Sequence, residues 1–160
     1  MPGISLVYDR KGKLAEKENN IINSFSSLNQ NGSLQHDISL INEHLIIGYT
    51  FHEKYPVAIF SDDECIYYID GQIFGKNIET IKSELSILAK TTFSNPKTSE
   101  RIAQWISDTD GEYAVLIFNK KKNEVLVFND YLSRLPLYYY NDDDNLIVSR
   151  NLWFILNITG

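Results

Sequence analysis

Thiols are almost absent from this chain: Cys65 is the single cysteine in 160 residues. One cysteine excludes an intramolecular disulfide and leaves too few thiols for a zinc or iron–sulfur site built on cysteines. Long apolar runs are missing too, so no segment reaches the length of a membrane-spanning helix. The opening residues Met1 to Asp9 lack both the basic head and the sustained apolar stretch of a signal peptide. A cytoplasmic protein that does not touch membrane is expected. Positive charge is also scarce. The formal charge is −6 and Lys120-Lys121-Lys122 is the only tight basic run, which suits a solvated turn better than a phosphate-binding surface and argues against nucleic acid as partner. No internal repeat or low-complexity linker interrupts the chain. Its length, with 43% hydrophobic and 22% charged residues, fits one soluble globular domain over 1–160.

What is present is a succession of hairpins. Tyr113 to Phe118 is an apolar run of strand length, Glu124 to Phe128 alternates polar and apolar, and the polar stretch 119–123 between them reads as a turn. Pro136 then bars a continuous central strand, and the aromatic run Tyr138-Tyr139-Tyr140 starts a new one, followed by a strand over Leu146 to Ser149 and a helical turn or two over Leu152 to Leu156. Earlier, Ile4 to Tyr8 reads as a buried strand and 9–13 as a turn using Gly12. Leu14, Ile21, Ile22, Phe25 and Leu28 return at helical spacing, and 29–33 is a loop. Strands follow at Asp37 to Ile41, His44 to Phe51, Val57 to Phe60 and Cys65 to Ile69, with 70–75 closing the last hairpin. Asn77 is placed to cap a helix carrying Ile78, Ile81, Leu85 and Leu88 on one face. Thr91 to Lys97 reads as a loop around Asn95-Pro96, and Thr98 or Ser99 can cap a short helix with Ile102, Trp105 and Ile106 inward. Eight or nine strands in hairpins with segregated helices make the class α+β.

Several residues invite a functional reading and have a plainer one. Cys65 sits in an aromatic strand without a nearby base or cation, which suits a buried structural thiol. His36, His44 and His52 are eight residues apart, too wide for a local metal motif. Asp142-Asp143-Asp144 lacks the glycine and later glutamate of a calcium loop and reads as a hairpin turn. Tyr67, Tyr68 and Tyr138 to Tyr140 read as strand residues packed between sheets rather than a stacking platform.

The order Asp110-Gly111-Glu112-Tyr113-Ala114, strand, basic turn, strand, Asn129-Asp130, three residues, Arg134, Leu135-Pro136-Leu137-Tyr138-Tyr139 resembles the class II glutamine amidotransferase domain of asparagine synthetase-type enzymes. The likeness continues through Asn145 to Arg150. It implies the four-layer αββα sandwich of the N-terminal-nucleophile hydrolases, with Asp130 and Arg134 shaping the fold around the pocket. Family members begin Met-Cys-Gly-Ile, and the freed N-terminal cysteine attacks the glutamine amide while its own α-amine handles the proton. Here the chain begins Met1-Pro2-Gly3-Ile4, with a proline in the nucleophile's place. The family's Asn-Gly-Glu, whose asparagine amide and glycine N–H form the oxyanion hole, aligns with Asp70-Gly71-Gln72. The substrate-clamping arginine has no counterpart in Gly48-Tyr49-Thr50-Phe51, and a further acidic residue is missing from 94–97.

The resemblance therefore implies a glutaminase fold that does not hydrolyse glutamine, with a degenerate pocket at Pro2, Gly3, Asp70, Gly71 and Gln72 and no catalytic, cofactor-binding or metal-binding residue. The implied partner is an ATP-dependent, amide-forming synthetase domain, in cis if 1–160 is the N-terminal part of a longer chain or else in trans. ATP and Mg are expected there and not here, and a homodimer is allowed. Two alternatives stand beside this: a free-standing small-molecule binding module, and an enzyme that uses Pro2 as a secondary amine after loss of Met1 or keeps a weakened amidohydrolase activity.

Overall fold

The computed structural model describes residues 2–28, 34–95 and 99–160. They form two compact units: residues 1–55 with 136–160, and residues 56–135. The protein is α+β, and each unit is one antiparallel sheet with its own helices.

The first unit is built on strand β1 (Gly3–Asp9), which is buried along nearly its whole length. β1 pairs antiparallel with β3 (Leu45–Phe51) on one side and β9 (Asn145–Ser149) on the other. β2 (Gln35–Leu40) and β8 (Tyr138–Asn141) complete the order β2-β3-β1-β9-β8. The stretch read as one helix from Leu14 begins as a short 3₁₀ turn (Leu14–Glu16) before α1 (Glu18–Ser27). Asp9 anchors this turn: its buried carboxylate accepts from Lys11 N at 2.8 Å and Lys17 Nζ at 2.9 Å. Burial alone would raise its pKa, and these hydrogen bonds overcome that and lower it. α1 and α4 (Leu152–Thr159) lay Ile21, Phe25, Phe154 and Ile155 over Val7, Ile46 and Ile147, with the Phe25 and Phe154 rings 4.6 Å apart. α4 is capped by Asn151, which accepts from Trp153 N at 3.0 Å.

The second unit is the sheet β4-β5-β6-β7, formed by β4 (Val57–Ser61), β5 (Cys65–Ile73), β6 (Gly111–Asn119) and β7 (Glu124–Asn129). α2 (Ile78–Ser94) packs Ile81, Leu85 and Leu88 against Cys65, Tyr67, Ile69, Val115 and Ile117. Each such anchor is worth roughly 1.5–3 kcal/mol relative to exposure. Asn77 caps α2 as expected, accepting from Thr80 N at 2.9 Å. α3 (Ser99–Ser107) turns Ile102, Trp105 and Ile106 toward the same core.

Four expectations are corrected. The loop assigned from Thr91 is helical to Ser94, because Thr91 Oγ1 bonds back to Ile87 O at 3.0 Å and Asn95 N closes the helix on Thr91 O and Thr92 O. Ile78 does not join the buried face: it occupies the first helical position and is 43% exposed. Tyr138, Tyr139 and Tyr140 are not packed between sheets but exposed on an edge strand. Residues 70–73 do not close the hairpin but continue β5 through Ile73. The turns placed at 29–33 and the cap at Thr98 lie outside the described residues.

Candidate functional site

In the first unit, Pro2 leads directly into β1 and is partly buried, and Gly3 is buried. Gly3 lies opposite Thr50 in the β1–β3 register, and Thr50 Oγ1 donates to Gly3 O at 3.4 Å. Behind Gly3 runs the side chain of Arg150, so close that a Cβ on Gly3 would stand 2.6 Å from Arg150 Cδ. Arg150 is only 6% exposed. Its backbone N donates to Ile4 O at 3.2 Å and its Nη1 donates to the Tyr55 hydroxyl. The end of β3 holds Tyr49, Thr50 and Phe51, with Tyr49 OH donating to Asp37 Oδ2 at 3.0 Å. Burial first, and this bond second, raise the Tyr49 pKa. The guanidinium near the start of β1 thus comes from the residue that follows β9.

In the second unit, Asp70, Gly71 and Gln72 pair with Ala114, Tyr113 and Glu112 of β6. A strand through these positions has an unusual joint. Gly71 has φ +95°, and a Cβ there would lie 2.0 Å from Glu112 O and 2.7 Å from Leu135 Cδ1. Only glycine fits that conformation and that approach. Its N–H is committed to Pro56 O at 2.9 Å. Asp70 is buried at 1% exposure, whereas Gln72 is exposed.

Cys65, at the start of β5, is buried, and burial pushes its thiol pKa up. Its surroundings stabilise the thiol over the thiolate, the reverse of what a nucleophile needs. Asp62 organises the turn before it, accepting from Cys65 N at 2.7 Å, Glu64 N at 2.9 Å, Tyr67 OH at 2.8 Å and Ser86 Oγ at 3.1 Å.

A groove of 330 Å³ opens where α3 meets β6, lined among others by Asp108, Asp110, Asp130, Tyr131, Leu132 and Arg134. Asp130 is buried and holds the loop after β7 by accepting from Leu132 N and Arg134 N, both at 3.1 Å. That loop forces Ser133 to φ +52°, a left-handed conformation costing about 1–2 kcal/mol in an L-residue. Arg134 reaches back to Gly111 O at 2.7 Å and Asp110 Oδ1 at 3.2 Å. Together these bonds tie the loop after β7 to the start of β6. Thr109, which also lines the groove, receives Lys76 Nζ at 3.0 Å, and Lys76 is bound to Glu84 at 2.6 Å as well. No thiol and no histidine stand among the lining residues. The groove is not visible in the sequence because its walls come from two separate segments, 106–111 and 130–134.

The other candidates have structural settings. His44 Nδ1 lies 2.8 Å from Asp9 O. Asp142 accepts from Asp144 N and Asn145 N, and those bonds hold its pKa down to about 2. Among the described residues, no three of His, Cys, Asp and Glu gather as a metal site, and no helix is long and apolar enough to cross a membrane.

Comparison with known proteins adds one match. The model of a glutamine amidotransferase domain matches residues 42–157, which include the Asp70–Gln72 joint, the groove and Arg150 but not Pro2 or Gly3. No curated protein matches the chain. With over two thirds of its length inside that match, and with the two antiparallel sheets and four helices described above, the chain belongs to the glutamine amidotransferase domain family.

Proposed function

We propose that this is a glutamine amidotransferase-like domain of asparagine synthetase type that does not hydrolyse glutamine and instead supports or regulates an ATP-dependent, amide-forming partner. The observation that carries the reading is the residue before Gly3. Where the family's resemblance calls for a cysteine, Pro2 offers neither thiol nor hydroxyl, and the one thiol in the chain, Cys65, is buried with its pKa raised. Three further features support it. Asp70 puts a buried carboxyl group where a neutral amide donor would stabilise an oxyanion, and loss of one such donor costs about 3 kcal/mol of transition-state stabilisation. Gln72 lacks the charge that would meet an ammonium group. Thr50 and Phe51 end β3 without an arginine.

In this reading the two sheets are the inner layers of a four-layer αββα sandwich, residues 1–160 act as one domain, and the protein works in the cytoplasm. ATP and Mg belong to the partner. The intact mass of the protein from its source cells tests the partnership. A mass well above 18.5 kDa, with an adenylating domain following Gly160, supports the partner in cis. A mass near 18.5 kDa together with a co-purifying ATP-dependent amide-forming protein supports it in trans. The protein alone, with neither, overturns the partner half of the reading.

A second reading draws on the groove between α3 and β6. Its carboxylates Asp108 and Asp110 and the Arg134 guanidinium, beside exposed Tyr131 and Leu132, suit a small zwitterionic ligand. Calorimetric titration with amino acids, repeated on Arg134→Ala, tests that alternative.

A further inference from the structure

The outer face of the first unit carries apolar surface on two adjoining elements. β8 is the last strand of its sheet and consists of Tyr138, Tyr139, Tyr140 and Asn141, all exposed. α4 packs beside it and turns Phe154 and Ile155 inward while leaving Leu152, Trp153 and Leu156 outward, Trp153 at 69% exposure. Residues 152, 153 and 156 share one side of a helix. Tyr138 and Tyr140 pair with Ser149 and Ile147, and Ile147 belongs to the core beneath α4. Opposed residues in a sheet point the same way, so Tyr138 and Tyr140 stand on the α4 side. Together the three tyrosines and the three α4 residues expose roughly 600 Å², taking a free aromatic side chain as about 200 Å², with Tyr139 contributing on the opposite face of the strand. One partner in a standard interface contributes about 800 Å².

The edge also has the right backbone. Asp142 N donates to Asn145 O at 3.0 Å, closing the β8–β9 hairpin. Antiparallel pairing alternates, so Tyr140 and Tyr138 turn their backbone groups toward β9 while Tyr139 and Asn141 turn theirs outward. Within β8 no lysine, arginine or proline guards this edge. An antiparallel strand laid against it with Tyr139 opposite Asn141 of the other copy, and Asn141 opposite its Tyr139, has a two-fold axis at Tyr140. That register makes four main-chain hydrogen bonds and brings the two Tyr140 side chains together on the helix side, with the α4 faces meeting above them. Four residues are too few to hold a dimer by backbone alone, and the α4 surface supplies the apolar area.

From this self-complementary edge and the area beside it, we propose that the β8–α4 face is a homodimer interface, in which β8 pairs with β8 of a second copy about a two-fold axis at Tyr140. The surface lies wholly within the first unit and does not depend on the amidotransferase reading.

Light scattering and sedimentation of the purified protein between about 1 and 100 µM test it. The expected result is a mass near twice 18.5 kDa at the upper end, dissociating on dilution. Trp153→Asp, at an exposed position that leaves the core untouched, weakens the dimer by at least ~30-fold, the scale of an interface hot spot. Tyr139→Pro removes an outward N–H and acts in the same direction. Tyr140→Cys, at a close pair on the axis, forms a disulfide-linked dimer in mild oxidant, whereas the parent protein does not because Cys65 is 2% exposed. A parent protein that stays monomeric at 100 µM overturns the proposal. So does a dimer that survives both Trp153→Asp and Tyr139→Pro with no cross-link at residue 140. Far-UV circular dichroism of each variant separates loss of the interface from loss of the fold.

Discussion

Replacing Asp62 by asparagine removes one ionisable group from a turn where four donors meet a single carboxylate. Burial alone would raise the Asp62 pKa, and the hydrogen bonds from Cys65 N, Tyr67 OH, Glu64 N and Ser86 Oγ outweigh that and hold it at about 2, against an ordinary 3.8. A pKa lowered by folding contributes stability that is fully present above the unfolded value and is lost as pH falls through the folded value. The shift corresponds to between about 2 and 3 kcal/mol at neutral pH. About 1 kcal/mol of this is gone by pH 3 and about 2 kcal/mol by pH 2. Asparagine keeps an acceptor for the turn amides but has no such titration. Urea unfolding of the parent and of Asp62→Asn at pH 6, 4 and 3, followed by circular dichroism, isolates the effect, since Asp9 and Asp142 titrate equally in both. The expected result is that the parent loses about 1 kcal/mol more than the variant between pH 6 and pH 3. Parallel pH profiles would refute the reasoning, because the four hydrogen bonds would then not favour the charged form.

Two further outcomes follow from the site. Gly71→Ala places a methyl 2.0 Å from Glu112 O at φ +95°. Combined backbone strain and overpacking should cost on the order of 3–5 kcal/mol and lower the Tm by roughly 10 °C, and a loss below about 1 kcal/mol in thermal unfolding would show that β5 does not make this joint. Cys65, buried with its thiol pKa raised, should react with a maleimide or disulfide reagent only at the rate of unfolding. Stoichiometric labelling of the folded protein within seconds at pH 7 would give the chain an active thiol after all.

The hairpins were legible because period-2 alternation and polar turns are local signals. β6 and β7 appear almost where the pattern placed them, and Asn77 caps α2 through a hydrogen bond that residue spacing alone anticipates. What was not legible depends on neighbours distant in sequence. The glycine at 71 looks like a strand end until the Glu112 carbonyl is known to lie where its Cβ would stand. The tyrosines at 138 to 140 carry a strand signature whether or not anything covers them, and here they form an edge. Arg150 ends the stretch that carries the family likeness, and only the fold shows that it lies buried behind Gly3. α2 runs to Ser94 and closes on Asn95 N, because how far a helix persists is decided by side-chain packing and by such caps. For the site, sequence motifs singled out Asp70 to Gln72 and the Asp110 to Arg134 region, while the groove emerged only when α3 and the loop after β7 met.

The central claim is that glutamine is not hydrolysed. Ammonia and glutamate released from glutamine by the purified protein, followed over hours at neutral pH with and without an amide-forming partner, measure it directly. The account predicts release no greater than the buffer blank, because Pro2 supplies no thiol and Cys65 is buried. Ammonia in excess of the protein present, abolished by Asp70→Ala but not by Cys65→Ala, would contradict it and make this pocket a working amidohydrolase.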